Sequence, residues 1–67
     1  MDIKYMIEKK LDYINMGENA TLSYNADDNN ALRAVDHLGR VLYVKQFQNK
    51  RELFQFLCGM VHVLEVI

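Results

Sequence analysis

A few small groups of side chains in this 67-residue sequence have the types and spacing that chemistry requires. Cys58 and His62 lie four residues apart, a spacing that can place two metal ligands on one helix face, and His37 could supply a third. Two ligands without a paired Cys or His motif do not make a metal site, and a thiol within an apolar stripe is expected to be unreactive. The sequence therefore predicts no metal, no cofactor and no nucleophilic cysteine.

The run Asp27-Asp28-Asn29-Asn30 has the composition of a calcium loop but lacks the glycine and the distal glutamate that complete one. Aspartate and asparagine tolerate left-handed geometry and bond their own backbone, so this run predicts a polar turn. No two carboxylates lie in an evident apolar cleft where they could perform general acid–base catalysis. We therefore expect that the protein is not an enzyme.

The candidate partner-binding site is an arginine between two aromatic rings. In the strand register predicted below, Arg33 is flanked by Tyr24 and Tyr43, with Val35 and Val41 beside them. Arginine and tyrosine are enriched at binding hot spots because they combine large contact area with directional hydrogen bonds. The alternative is that the same side chains form a cross-strand stack that only supports the sheet.

A second candidate site is basic and consists of Arg40, Lys45, Lys50 and Arg51. A formal net charge of −1 argues against nucleic-acid binding by bulk electrostatics, because such domains usually carry a clear basic excess. Nucleic acid is therefore an improbable partner, and this cluster is the alternative site.

Helices and strands must position these side chains. The helical spacing of apolar residues predicts the first element, a helix from about residue 2 to 16. Asp2 can cap its beginning and Gly17 supplies a stop. A short strand is predicted from 20 to 26, followed by the Asp/Asn turn.

The segment from Ala31 to Phe47 predicts a β-hairpin. Asp36 can cap a tight turn, and Gly39 can take the positive φ that closes a three-residue loop. The predicted cross-strand pairs are then Asp36–Arg40, Val35–Val41, Ala34–Leu42, Arg33–Tyr43 and Leu32–Val44. A tight Asp/Asn turn adds the pairs Tyr24–Arg33, Leu22–Val35 and Ser23–Ala34.

This register divides the three strands into two apolar faces. One face carries Leu32, Ala34, Leu42 and Val44, and the other carries Leu22, Tyr24, Arg33, Val35, Val41, Tyr43 and Phe47. A slip of one residue exchanges the faces, so the pattern leaves open which face the helices cover.

Asn49 followed by Glu52 predicts the capped beginning of a second helix, from about 50 to 64. Its apolar stripe consists of Leu53, Leu57, Met60, Val61 and Leu64. Gly59 and the β-branched residues after it leave a terminal strand as the competing prediction for residues 60–67.

The order helix, three antiparallel strands, helix resembles the double-stranded-RNA-binding domain, in which basic residues open the second helix. Asn49-Lys50-Arg51-Glu52 falls at the corresponding place, so the resemblance implies RNA binding as the alternative function. Glu52, Phe54 and the low net charge depart from that family.

The element order also resembles small phage-encoded inhibitor proteins of the anti-CRISPR kind. The turn Val35-Asp36-His37-Leu38-Gly39 followed by Tyr43-Val44 is similar in type to their hairpins. The resemblance implies a regulator or inhibitor of a host protein, and it carries over no functional residue.

The sequence thus predicts a single small α+β domain, αβββα, over residues 1–67. A core near the lower size limit and an apolar second helix predict a homodimer or another protein as partner. A lone cysteine without a signal-peptide pattern predicts a protein of the reducing cytoplasm, and no apolar run is long enough to span a bilayer. The setting that we expect is that of a bacterial or phage accessory protein.

Overall fold

The computed structural model describes residues 2–16 and 22–66 of the chain. Helix α1 spans Ile3–Asn15, strands β1, β2 and β3 span Leu22–Ala26, Ala31–Asp36 and Val41–Gln46, and helix α2 spans Lys50–Val66. The strands form one antiparallel sheet in the order β1-β2-β3. The predicted α+β fold, αβββα, is confirmed. Gly17 and the first two residues of the predicted strand lie outside the described residues.

Helix α1 begins at the predicted cap and turns an apolar face towards the core. The Asp2 side chain accepts a hydrogen bond from the backbone N–H of Lys4 at 3.1 Å, which satisfies one of the free donors of the first turn. Ile7, Leu11 and Ile14 are buried. Their spacing of three and four residues places them on one face of the helix.

The turn between β1 and β2 closes on Asp27 and Ala31. One Asp27 carboxylate oxygen accepts hydrogen bonds from the backbone N–H groups of Asn29 at 2.9 Å and Ala31 at 3.1 Å. Asn30 takes a φ of 64°, which asparagine tolerates better than most residues. Three residues therefore separate the closing pair.

The turn between β2 and β3 repeats the same design. One Asp36 oxygen accepts from the backbone N–H groups of Leu38 and Arg40, both at 2.9 Å. Gly39 has a φ of 83°, the positive value predicted for it, and its N–H donates to the Asp36 carbonyl at 3.0 Å. The other Asp36 oxygen accepts from Arg40 Nε at 2.9 Å, so the predicted Asp36–Arg40 pair is confirmed.

The predicted register between β1 and β2 is wrong by one residue. Tyr24 lies opposite Ala34 instead of Arg33, and Leu22 lies opposite Asp36 instead of Val35. The predicted pairs require a two-residue loop, and the three-residue loop after Asp27 shifts every pair by one.

Between β2 and β3, the predicted Val35–Val41 pair is confirmed, but the pairs beyond it are wrong. A bulge lies next to it, and Ala34 then pairs with Tyr43, Arg33 with Val44, and Leu32 with Lys45. Because of the bulge, Leu42 of β3 has no residue opposite it on β2, and every pair after it is shifted by one residue.

Residues directly opposite each other share a face of a sheet, so the pairs define both faces. One face carries Tyr24, Ala26, Leu32, Ala34, Tyr43 and Lys45, and the other carries Ser23, Asn25, Ala31, Arg33, Val35, Val41, Val44 and Gln46. Leu32 is wholly buried among residues of both helices. The helices therefore cover the face of Leu32, and we call the opposite one the outer face.

Helix α2 begins at the predicted cap. The Asn49 side chain accepts from the backbone N–H of Glu52 at 2.9 Å, and the Glu52 carboxylate accepts from the N–H of Gln48 at 3.2 Å. The helix continues to Val66, so the competing terminal strand is wrong. Leu64, the last member of the predicted stripe, is exposed.

The core lies between the two helices and β2. Its buried members are Ile7, Leu11, Ile14, Leu32, Leu53, Leu57 and Val61. Complete burial of a leucine side chain contributes about 1.5–3 kcal/mol, so this cluster supplies the main drive to fold a chain of this length.

Candidate protein-interaction site

Strand β3 carries a run of exposed apolar side chains. All its residues are exposed, although the neighbouring β2 holds two wholly buried side chains. Val41, Leu42 and Val44 are each 53–55% exposed, and Tyr43 is 40% exposed. Four consecutive apolar side chains left in water are unusual for an ordinary surface and typical of a binding surface.

The outer edge of β3 also has peptide groups available for pairing. Asn25 and Arg33 exchange hydrogen bonds between β1 and β2, as the Asp27–Ala31 closing pair requires, so Arg33 points its peptide groups away from β3. Val44, opposite Arg33, therefore directs its N–H and C=O away from the sheet. Within the described residues, no side chain bonds these groups of Val44.

The other edge of the sheet is occupied. The Asn15 side chain, at the end of α1, donates to the Tyr24 carbonyl at 2.8 Å and accepts from the Tyr24 N–H at 2.8 Å. One amide side chain thus makes the two hydrogen bonds that a neighbouring strand would make with Tyr24, the middle residue of β1. A side chain that covers part of an edge in this way opposes pairing with another strand.

Arg33 does not lie between Tyr24 and Tyr43 as predicted, because in the observed register it lies on the outer face. Its guanidinium group binds the second oxygen of Asp27 at 2.8 Å. The Ala31 N–H, the Arg33 guanidinium and the Asn29 N–H together hold the pKa of Asp27 below its usual range. Val35 and Val41 remain paired with each other on that outer face.

The two tyrosines meet on the opposite face. The Tyr24 and Tyr43 ring centroids are 6.5 Å apart in an edge-to-face arrangement. Both residues lie opposite Ala34, whose small side chain lets the rings approach from the two outer strands and which is itself wholly buried. Desolvation raises the pKa of Tyr43, and the adjacent Tyr24 raises it further. Of the alternative prediction, a cross-strand stack of Arg33 with both tyrosines, only the contact between the two rings is present.

The basic residues are dispersed. Arg40 bonds Asp36 in the second turn, and the six residues of β3 place that turn about 20 Å from the beginning of α2. Lys50 donates to the Asn30 side chain at 3.1 Å. Lys45 lies 5.5 Å from the Phe47 ring centroid, and Arg51 is exposed at the first turn of α2. No single basic surface unites Arg40 with the other three.

The groups considered for metal binding or nucleophilic chemistry lie in separate places. His37 is exposed in the second turn, His62 is exposed on α2, and Cys58 is partly buried. In residues 2–16 and 22–66, no three His, Cys, Asp or Glu side chains gather as metal ligands.

The class that the fold defines is a small αβββα protein with one covered and one open sheet edge. Comparison with known proteins gives no match, whether to family models, to curated proteins or to solved structures. Within the described parts of the chain, no helix is long and apolar enough to cross a bilayer.

Sequence reasoning missed Leu42, Val44 and Asn15. The predicted register placed Leu42 and Val44 with Leu32 and Ala34, the face now seen under the helices. Four successive apolar residues at positions 41–44 do signal something other than a half-buried strand, since such a strand alternates apolar with polar residues. No comparable signal identifies Asn15, because its bonds join elements that are separate in the sequence.

Proposed function

We propose that the protein is a small non-enzymatic module that binds another protein chain through β3. The observation that carries this proposal is the combination, on one strand, of exposed apolar side chains and unpaired peptide groups. An extended segment that adds to such an edge gains main-chain hydrogen bonds for affinity and side-chain contacts for specificity.

The charged and titrating groups of the described residues support a binding role over a catalytic one. The shifted pKa values belong to Asp27, Asp36 and Tyr43, and each shift has a structural cause. The two aspartates hold turns, and Tyr43 packs against Tyr24. Asp27 lines a pocket with Lys4 and Glu8, but both oxygens of each aspartate are already bonded within its hairpin, so neither carboxylate is placed to exchange a proton with a substrate.

The biological setting belongs to the same proposal. The element-order resemblance to small phage-encoded inhibitors supports an accessory protein of a bacterium or phage that regulates or inhibits a host protein in the cytoplasm. A homodimer is part of the proposal, because the same exposed strand is available on every copy.

The alternative proposal is RNA binding through Arg40, Lys45, Lys50 and Arg51. Its support is weaker, because Arg40 is bonded to Asp36 and Lys50 is bonded to Asn30. RNA binding that weakens with salt and is lost when Lys50 and Arg51 become alanine would favour it over the protein-binding proposal.

The test is capture of host proteins by the immobilised wild-type chain and by two charged variants. Val44→Lys places a charge on the open edge, and Val63→Lys is the matched control on an equally exposed valine of α2. We expect a protein captured by the wild type and by Val63→Lys to be lost with Val44→Lys. A protein retained equally by all three chains would contradict the proposed site.

A further inference from the structure

We infer that β3 can pair antiparallel with β3 of a second copy of this chain, with the two-fold axis at Val44. The inference rests on the proposed function, and it names the partner of the same site. The dimer would have one continuous sheet of six strands, three from each copy.

The direction of the peptide groups restricts the possible registers. In an antiparallel pair, residues that exchange hydrogen bonds must both point their N–H and C=O groups at the partner. The N–H and C=O groups of Val44 and Gln46 point away from the sheet, and those of Tyr43 and Lys45 point towards β2. A two-fold axis must therefore lie at a residue, because an axis between two residues leaves outward peptide groups opposite inward ones. The three residues in the regular middle of the exposed strand are Tyr43, Val44 and Lys45.

Charge and backbone shape select among the three. An axis at Lys45 places two lysines directly opposite each other, which is unfavourable. An axis at Tyr43 forms its hydrogen bonds between Val44 and Leu42, and Leu42 lies at the bulge where the regular ladder is interrupted. An axis at Val44 places the central hydrogen-bonded pair in the regular part of the strand, and only the flanking pairs, between Gln46 and Leu42, reach the bulge.

The Val44 register also gives complementary side-chain neighbours. Each Lys45 lies opposite Tyr43 of the other copy, so each cation meets an aromatic ring instead of a second cation. On the outer face the two Val44 side chains meet, and both are 53% exposed in the single chain. A formal net charge of −1 per copy adds little repulsion between them.

The two-fold axis stands perpendicular to the sheet, because it relates antiparallel strands of one continuous sheet. It therefore leaves the helices of both copies on the same side and the two outer faces on the other. The pairing of one short strand buries less than the roughly 1,600 Å² of a standard interface. We therefore expect a weak and reversible dimer.

The register can be read by disulfide formation in three single-cysteine variants, all carrying Cys58→Ser to remove the native thiol. In the Val44 register, Val44→Cys places two Cα atoms about 5.5 Å apart, within disulfide range. Tyr43→Cys and Lys45→Cys place theirs about 8 Å apart, which is too far to bridge. Under mild oxidation we expect Val44→Cys to cross-link at least tenfold faster than the other two.

Faster cross-linking of Tyr43→Cys or Lys45→Cys would overturn the register. Sedimentation of the unmodified chain tests the dimer itself: a monomer at 100 µM would overturn the second copy as the partner. The proposed function would survive that result if Val44→Lys still abolished capture of a host protein, so the two failures are distinguishable. Sedimentation of Val44→Pro should give a monomer, because proline removes only the outward N–H at this edge, and a dimer of this variant would contradict pairing at Val44.

Discussion

The two hairpins of this protein share β2 and have the same kind of turn, yet only one of them has its outer strand bonded to a helix. Asp27 and Asp36 bond their loops in the same pattern, and each loop contains one residue with positive φ. The outer strand of the first hairpin is bonded to α1 through Asn15, whereas the outer strand of the second is exposed along its whole length. Turn chemistry therefore builds both hairpins, and contacts with the helices decide which outer strand is left exposed.

Replacement of Asn15 by alanine is expected to have the largest effect, because it removes the contact that distinguishes the two outer strands. The change removes both hydrogen bonds to Tyr24, each worth about 1 kcal/mol, so we expect a loss of about 2 kcal/mol in the free energy of unfolding. In a domain of this size, the corresponding fall in Tm is about 10 °C in a thermal melt. Asn15→Asp keeps the acceptor for the Tyr24 N–H and should lose less. Equal stability of all three chains would mean that Asn15 does not hold this edge.

A smaller effect is expected in the turn of the open hairpin. Gly39→Ala forces a side chain into a φ of 83° and should cost about 1 kcal/mol, because nothing else crowds the position. The matched control is Gly59→Ala in α2, where the added Cβ also meets open space. Because alanine is the better helix former, this control should gain up to about 1 kcal/mol. Chemical denaturation measures both, and changes of the same sign would contradict the assigned role of Gly39.

The smallest expected effect concerns the charge on the same turn. Hydrogen bonds from the Arg40 N–H, the Arg40 side chain and the Leu38 N–H hold the pKa of Asp36 below its usual range. A lowered folded-state pKa contributes stability above the unfolded value of about 3.9, and this contribution is lost as the pH falls through the folded pKa. We expect Asp36→Asn to show a smaller fall in Tm than the wild type between pH 5 and pH 2. An identical fall in both chains would show that the Asp36 charge adds nothing.

The local elements of this fold are readable from the sequence because their signals are local. Asp2 predicts the beginning of α1, Asn49 and Glu52 predict the beginning of α2, and Asp36 with Gly39 predicts the second turn. In each case the bonded groups lie within four residues of each other. Such contacts depend on residue type and spacing, which the sequence displays directly.

The candidate site is less predictable because it depends on register. The loop after Asp27 has three residues instead of the predicted two, which shifts the cross-strand partner of Tyr24 by one position. The bulge at Leu42 shifts the partner of Tyr43 by one position. Two single-residue differences were enough to separate Arg33 from both tyrosines and to bring Val44 to the surface. Loop length and bulges reflect the balance of many small terms, and in this chain no single residue type announces them.

The Asn15 amide has a consequence for stoichiometry. A sheet with two pairable edges can accept a new copy at either side and extend into a fibre, whereas a sheet with one can accept a single neighbour. By bonding the peptide groups of Tyr24 in the middle of β1, Asn15 opposes pairing at that edge and leaves β3 as the open edge. The dimer that we propose through β3 would therefore leave only β1 edges that Asn15 protects, so one uncharged side chain would favour a closed dimer over an open polymer.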